Sequence, residues 1–174
     1  MKASKHVKKI EEMVLFALFG AIMYLSAQSD IVPNVHPLSL FIAAFTVVYR
    51  FKALIPIYVY VLLNGLFAGF TVWWIPYLYI WTVLWGVTML IPQGISKKAA
   101  CIVYPIVCSL HGFAFGLLYA PAQAIIFGFT FEKAVAWVAS GAVFDVVHGI
   151  GNFVAGLLIV PLSELLKKLM RKAV

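Results

Sequence analysis

Apolar stretches about as long as a bilayer-spanning helix, roughly 20 residues, recur along nearly the whole sequence, and they leave no segment large enough for a soluble domain. Of the 174 residues, 64% are hydrophobic and 11% charged, and mean hydropathy is +1.04. A soluble core of this size could not bury so much apolar surface, so the chain needs lipid as its solvent. Lipid offers no partner to backbone groups of separate segments, which predicts helices throughout. The expected fold is a single all-α transmembrane domain over residues 1–174, with spans at 12–29, 37–50, 53–73, 76–92, 99–121 and 134–162.

The charges orient these spans. A net charge of +7 would point to nucleic acid in a soluble protein. Here Lys2, Lys5, Lys8 and Lys9 precede the first stretch, and Arg50 and Lys52 follow the second. Lys97 and Lys98 follow the fourth, and Lys167, Lys168, Arg171 and Lys172 the last. Twelve of the thirteen basic residues, all but Lys133, thus fall on one side of a six-span topology. By the positive-inside pattern both termini are cytoplasmic, and no nucleic acid need be invoked. The basic start before Met13–Ala27 also fits a secretory signal, but Glu11 and Glu12 interrupt it and no clear small-x-small cleavage site follows. Cys101 and Cys108, about 10 Å apart along one helix, are too distant for a disulfide.

Prolines punctuate the spans. Pro37 and Pro76 sit in first turns, Pro92, Pro121 and Pro161 near ends, and Pro56 and Pro105 inside spans, where they predict kinks. The second span is the shortest: 37–50 rises only about 21 Å against a hydrocarbon core of roughly 30 Å. The segment from Ser29 to His36 mixes turn formers with apolar residues and has the composition of an outer loop that dips inward as a lid.

Polar and aromatic residues recur at helical spacing. Asp145, His148 and Asn152, at i, i+3 and i+7, share one stripe of the sixth span, flanked by Gly141, Gly149 and Gly156. Such a stripe faces protein or a cavity, since Asp near the bilayer centre costs roughly 2.5–3.5 kcal/mol. It reads either as a ligand site or as a pair pinning helices together. His111, Phe115 and Tyr119 align on the fifth span beside Gly112, Gly116 and Ala120. Trp74, Tyr77, Trp81 and Trp85 form an aromatic stripe about 16 Å long on the fourth, deeper than a headgroup belt. Flat rings or cationic heterocycles stack on such a wall; plain packing uses it too. No G-x-x-x-x-G-K-[ST], H-E-x-x-H or G-x-S-x-G motif occurs, no cofactor is implied, and His111, Asp145 and His148 match no specific metal spacing.

Size, six-span topology, the stretch Ala17-Leu18-Phe19-Gly20-Ala21 and the polar residues on the last helices together give the chain a resemblance to a family. It resembles the substrate-binding S components of energy-coupling-factor transporters, over nearly its whole length. The resemblance implies a multi-pass protein of a prokaryotic plasma membrane that performs no chemistry. It would capture a vitamin or related micronutrient on the outer side and deliver it inward by toppling, coupled to a membrane-embedded coupling protein and two cytoplasmic ATPases. Ala17 and Ala21, at the family's Ala-x-x-x-Ala positions, would dock the coupling protein. Ligand would meet Trp74, Trp81, His111, Tyr119, Asp145, His148 and Asn152, and the loop from Asp30 to His36, with Asn34 and His36, would close over it. Two other classes stay open: a small intramembrane enzyme using Asp145 and His148, and a non-catalytic membrane interaction protein.

Overall fold

Backbone groups in apolar segments find partners only within their own helix, and the computed structural model follows that rule. It describes residues 5–28 and 36–173, which are helical with no strand among them. The helices are α1 (Lys5–Ala27), α2 (Leu38–Tyr49), α3 (Leu54–Ala68), α4 (Tyr77–Leu90), α5 (Lys97–Phe113), α6 (Phe115–Phe127), α7 (Phe131–Gly156) and α8 (Ile159–Ala173). Four helical runs are long and apolar enough to cross a membrane: Val7–Ala27, Leu38–Ala68, Lys97–Phe127 and Phe131–Gly156.

Residue pairings give the direction of each helix. Lys52 bonds Glu12 at 2.6 Å and Tyr24 stacks on Phe67, so α1 and α3 run parallel. The Tyr58 hydroxyl donates to Leu78 O at 2.9 Å and Trp74 Nε1 to Val61 O at 2.8 Å, which sets α4 antiparallel to α3. His111 meets Ile80, Tyr79 donates to Leu118 O, and α5–α6 therefore runs back along α4. Asn152 against Cys108, and Asp145 against Gly116, turn α7 back again. Successive helical segments thus alternate in direction along the bundle: α1, α2, α3, α4, the α5–α6 pair and α7.

Pass boundaries follow local chemistry rather than apolarity. Arg50 ends α2 with φ 54° and ψ −121°, and the chain reverses through a 3-10 turn, Arg50–Ala53, so Leu38–Ala68 makes two passes rather than one. Pro56 thereby falls in the first turn of α3 and produces no mid-helix kink. Gly69, at φ 95°, stops α3 short of the expected residue 73. Pro121, expected near an end, lies inside α6, which continues to Phe127 and closes on left-handed Gly128. The last span ends at Gly156 rather than 162, and α8 is a separate amphipathic helix. Ser96 and Thr130 cap α5 and α7 by accepting from Ala99 and Lys133 N–H.

α2 is the axis of the bundle. Leu38, Ser39, Leu40 and Ile42 through Thr46 are all buried, and α4, α7, α8 and α1 pack around it. A helix surrounded by protein need not match the lipid thickness, which explains how 12 residues suffice. The α5–α7 seam is the tightest: a Cβ on Gly112 would lie 2.8 Å from Gly149 N and Cα, and one on Gly156 2.7 Å from Pro105 Cα. Gly141, by contrast, faces open space.

Basic residues collect at one end. Lys52 pairs with Glu12, Lys97 with Glu164 at 2.7 Å, and Arg50 Nη2 donates to Met89 O at 2.9 Å. The starts of α1, α3 and α5, the end of α4 and the amphipathic α8 therefore share that end.

Candidate functional site: a pocket walled by aromatic and histidine side chains

At the opposite end, α2 begins partway down the bundle and leaves a space above it. Ser39, one residue into α2, already sits beside Cys108 of α5 and the last turns of α7, donating to Asn152 Oδ1 at 2.9 Å. A cavity of about 130 Å³ results, lined by Ala27, His36, Leu38, Tyr60, Asn64, Tyr77, Trp81, Phe115 and His148. Five helices, α1, α2, α3, α4 and α7, together with the first residue of α6, thus converge on one space.

Trp81 organises the wall. Its ring centroid lies 5.9 Å from Tyr60, 5.5 Å from Tyr77, 5.7 Å from Phe115 and 5.9 Å from His111, mostly tilted or edge-on, the favoured geometry for aromatic quadrupoles. Phe115 in turn contacts the His148 ring at 4.7 Å. Asn64 fixes its amide by donating to Tyr60 O at 3.1 Å.

Two buried polar atoms in this cluster have no hydrogen-bond partner among the described residues: Trp81 Nε1 and His111 Nδ1. Their residues are 3% and 7% exposed. His111 Nε2 lies 3.1 Å from Ile80 O; a carbonyl only accepts, so Nε2 carries the proton and a neutral ring leaves Nδ1 as an acceptor. One unmatched donor thus stands beside one unmatched acceptor. Leaving such atoms unpaired in a buried site costs about 1–3 kcal/mol each, which a bound group or water with both functions would recover.

The residues singled out from the sequence separate into three groups. His36, Trp81 and His148 line the cavity, and His111 stands directly behind Trp81. Trp74, Tyr119, Asp145 and Asn152 brace the frame. Trp74 Nε1 ties the start of the fourth pass to Val61 O, and the Tyr119 hydroxyl donates to Trp73 O while its ring stacks on Trp137. Asn152 is 1% exposed and spends its amide on Ser39 and Cys108 O. Asn34 lies outside the described residues, as does the 29–35 segment expected to act as a lid.

Asp145 and His148 share a helix face, but the carboxylate is turned elsewhere. Its oxygens accept from Gly116 N–H at 3.0 and 3.1 Å. Ala114, at φ −89° and ψ 2°, breaks the α5–α6 run, and Gly116 N–H bonds Asp145 across the seam as a tertiary N-cap. Asp145 does not line the cavity, and no acidic side chain is among the described residues that do. Among the described residues, a cationic ligand would find aromatic faces to hold it. No three His, Cys, Asp or Glu side chains converge as a metal site among the described residues.

Tyr60, Asn64, Tyr77 and Phe115 complete the lining without having been named as site residues from the sequence. Tyr60 and Asn64 carry a signal in retrospect: an Asn one turn after a Tyr in the otherwise apolar third pass marks an inward face. On α1, Gly20 packs against α3 with Pro56 O 3.0 Å from where a Cβ would stand, while Ala17 is exposed and Ala21 half-buried. Compared with models of known families, with curated proteins and with solved structures, the chain gives no match.

Proposed function

We propose that the chain is the substrate-capturing S component of an energy-coupling-factor importer in a prokaryotic plasma membrane. Its six passes cross the bilayer with the basic end and both termini in the cytoplasm, as the positive-inside rule requires. The pocket then opens toward the outside. The observation that carries this reading is the pocket itself: an aromatic chamber with an unmatched donor on Trp81 in its wall, placed at the end away from the basic clusters.

The mechanism is capture and release, without chemistry on the ligand. A vitamin or related micronutrient, best a flat heteroaromatic compound, inserts among Tyr60, Tyr77, Trp81 and Phe115. Its ring edge meets Trp81 Nε1–H and the His148 ring, with His111 backing Trp81 from behind. Ala17 and Ala21, with no internal helix crowding Ala17, form the flat contact for a membrane-embedded coupling protein that, driven by two cytoplasmic ATPases, topples the loaded subunit inward.

Thermal-shift titration of the detergent-purified chain with vitamins and their precursors tests the proposal. A captured ligand at 100 times its Kd stabilises by about 2.7 kcal/mol, a readily measured rise in Tm. Saturable stabilisation by a heteroaromatic member supports the reading. Absence of stabilisation by every member contradicts it.

A further inference from the structure

At the basic end two adjoining cavities, of about 320 and 170 Å³, share Val47, Gln93, Tyr104 and Lys167. Arg50 lines the first, Ser163 and the Lys97–Glu164 pair the second. That pair, closed at 2.7 Å, neutralises itself and leaves Arg50 and Lys167 without an acidic partner among the described residues. The remaining groups are donors in search of acceptors. Ser163 is 4% exposed and its Oγ has no partner among the described residues, although a helical serine can back-bond its own turn. Tyr104 is 7% exposed and its hydroxyl makes no hydrogen bond among the described residues.

Arg50 is held there against its backbone preference. At φ 54° and ψ −121° it occupies a region that residues with a Cβ rarely adopt. Three bonds fix it: its N–H to Thr46 O, its carbonyl from Trp85 Nε1 at 3.1 Å, and Nη2 to Met89 O at 2.9 Å. A guanidinium has five N–H donors, so one bond to Met89 leaves capacity to spare.

We propose that this cleft is an anion site for a phosphate group, taken by Arg50, Tyr104, Ser163 and Lys167. Two cations and two hydroxyl donors suit a tetrahedral anion that offers acceptors in several directions. Basic pockets between helices at a membrane surface meet such groups as lipid headgroup phosphates; inorganic phosphate offers the same chemistry from solution. The site lies at the end opposite the aromatic pocket and does not depend on what that pocket binds.

The test uses the full chain in neutral detergent, with melting followed in two arms at fixed ionic strength. One adds phosphatidylglycerol against phosphatidylcholine, the other sodium phosphate against sodium chloride. Stabilisation by about 3 °C or more in either arm, lost in Lys167→Gln and Tyr104→Phe but kept in Lys168→Gln, supports the site; the responding arm names the source. Lys168 is the control because it is exposed on the same helix and does not line either cavity. No stabilisation in either arm overturns the proposal. So does equal loss in Lys167→Gln and Lys168→Gln, which would mark diffuse surface charge instead.

Discussion

Asp145, His148 and Asn152 illustrate how much one helix face says about a residue's task. Their spacing places them on a common stripe, and all three do face protein. Yet the stripe spans about 10 Å of helix axis, and each residue meets a different neighbour at its own depth. Asp145 reaches the broken turn before α6, His148 the cavity, Asn152 the start of α2. Periodicity gives the face; the depth of the opposing helix ends is a tertiary property that no local pattern carries. Asp145→Ala should therefore cost about 1–2 kcal/mol of stability, as loss of an N-cap does, while leaving ligand affinity within about twofold. Trp81→Phe should act in the opposite sense: stability nearly kept, affinity down about tenfold through the lost Nε1–H, worth roughly 1.4 kcal/mol. Parallel melting and binding titrations of the two variants separate these roles, and a large affinity loss in Asp145→Ala would move the carboxylate into the site.

At the level of helices, hydrophobic runs separated by basic residues indicated an all-helical bundle, whereas the helix ends depended on single residues. Gly69 and the strained Arg50 set boundaries that apolarity alone misplaced, and the brevity of α2 became intelligible only once its burial on all sides was seen. The small-residue ridges on the fifth and sixth spans likewise announced a close crossing, but not which glycines form it. Gly112→Ala should destabilise by about 1–3 kcal/mol, because the new methyl meets backbone that cannot retreat. Gly141→Ala, into open space on the same seam's helix, should be neutral or stabilising by up to about 1 kcal/mol through helix propensity. Equal effects from the two would mean that the α5–α7 crossing is looser than described. On α1, Ala17→Trp with Ala21→Trp should abolish assembly with the coupling protein and uptake while ligand binding by the isolated chain survives. Normal transport by that double variant would remove α1 as the docking face.

For the molecule as a whole, the basic clusters and the aromatic pocket lie at opposite ends of one bundle, and the sequence carried the first of these far more openly than the second. Charge clusters are local and survive reading in one dimension. The pocket is assembled from α1, α2, α3, α4, α6 and α7, and Tyr60, Asn64 and Phe115 acquire their role only from one another. The central claim, that this assembled pocket captures a small molecule, is tested most directly by native mass spectrometry of the chain exposed to vitamins and their precursors, alongside a His148→Trp variant whose larger ring fills the cavity. The prediction is a saturable one-to-one adduct with the wild-type chain that disappears in a folded His148→Trp protein. No adduct with the wild-type chain, or one retained at equal affinity when the cavity is filled, would contradict it.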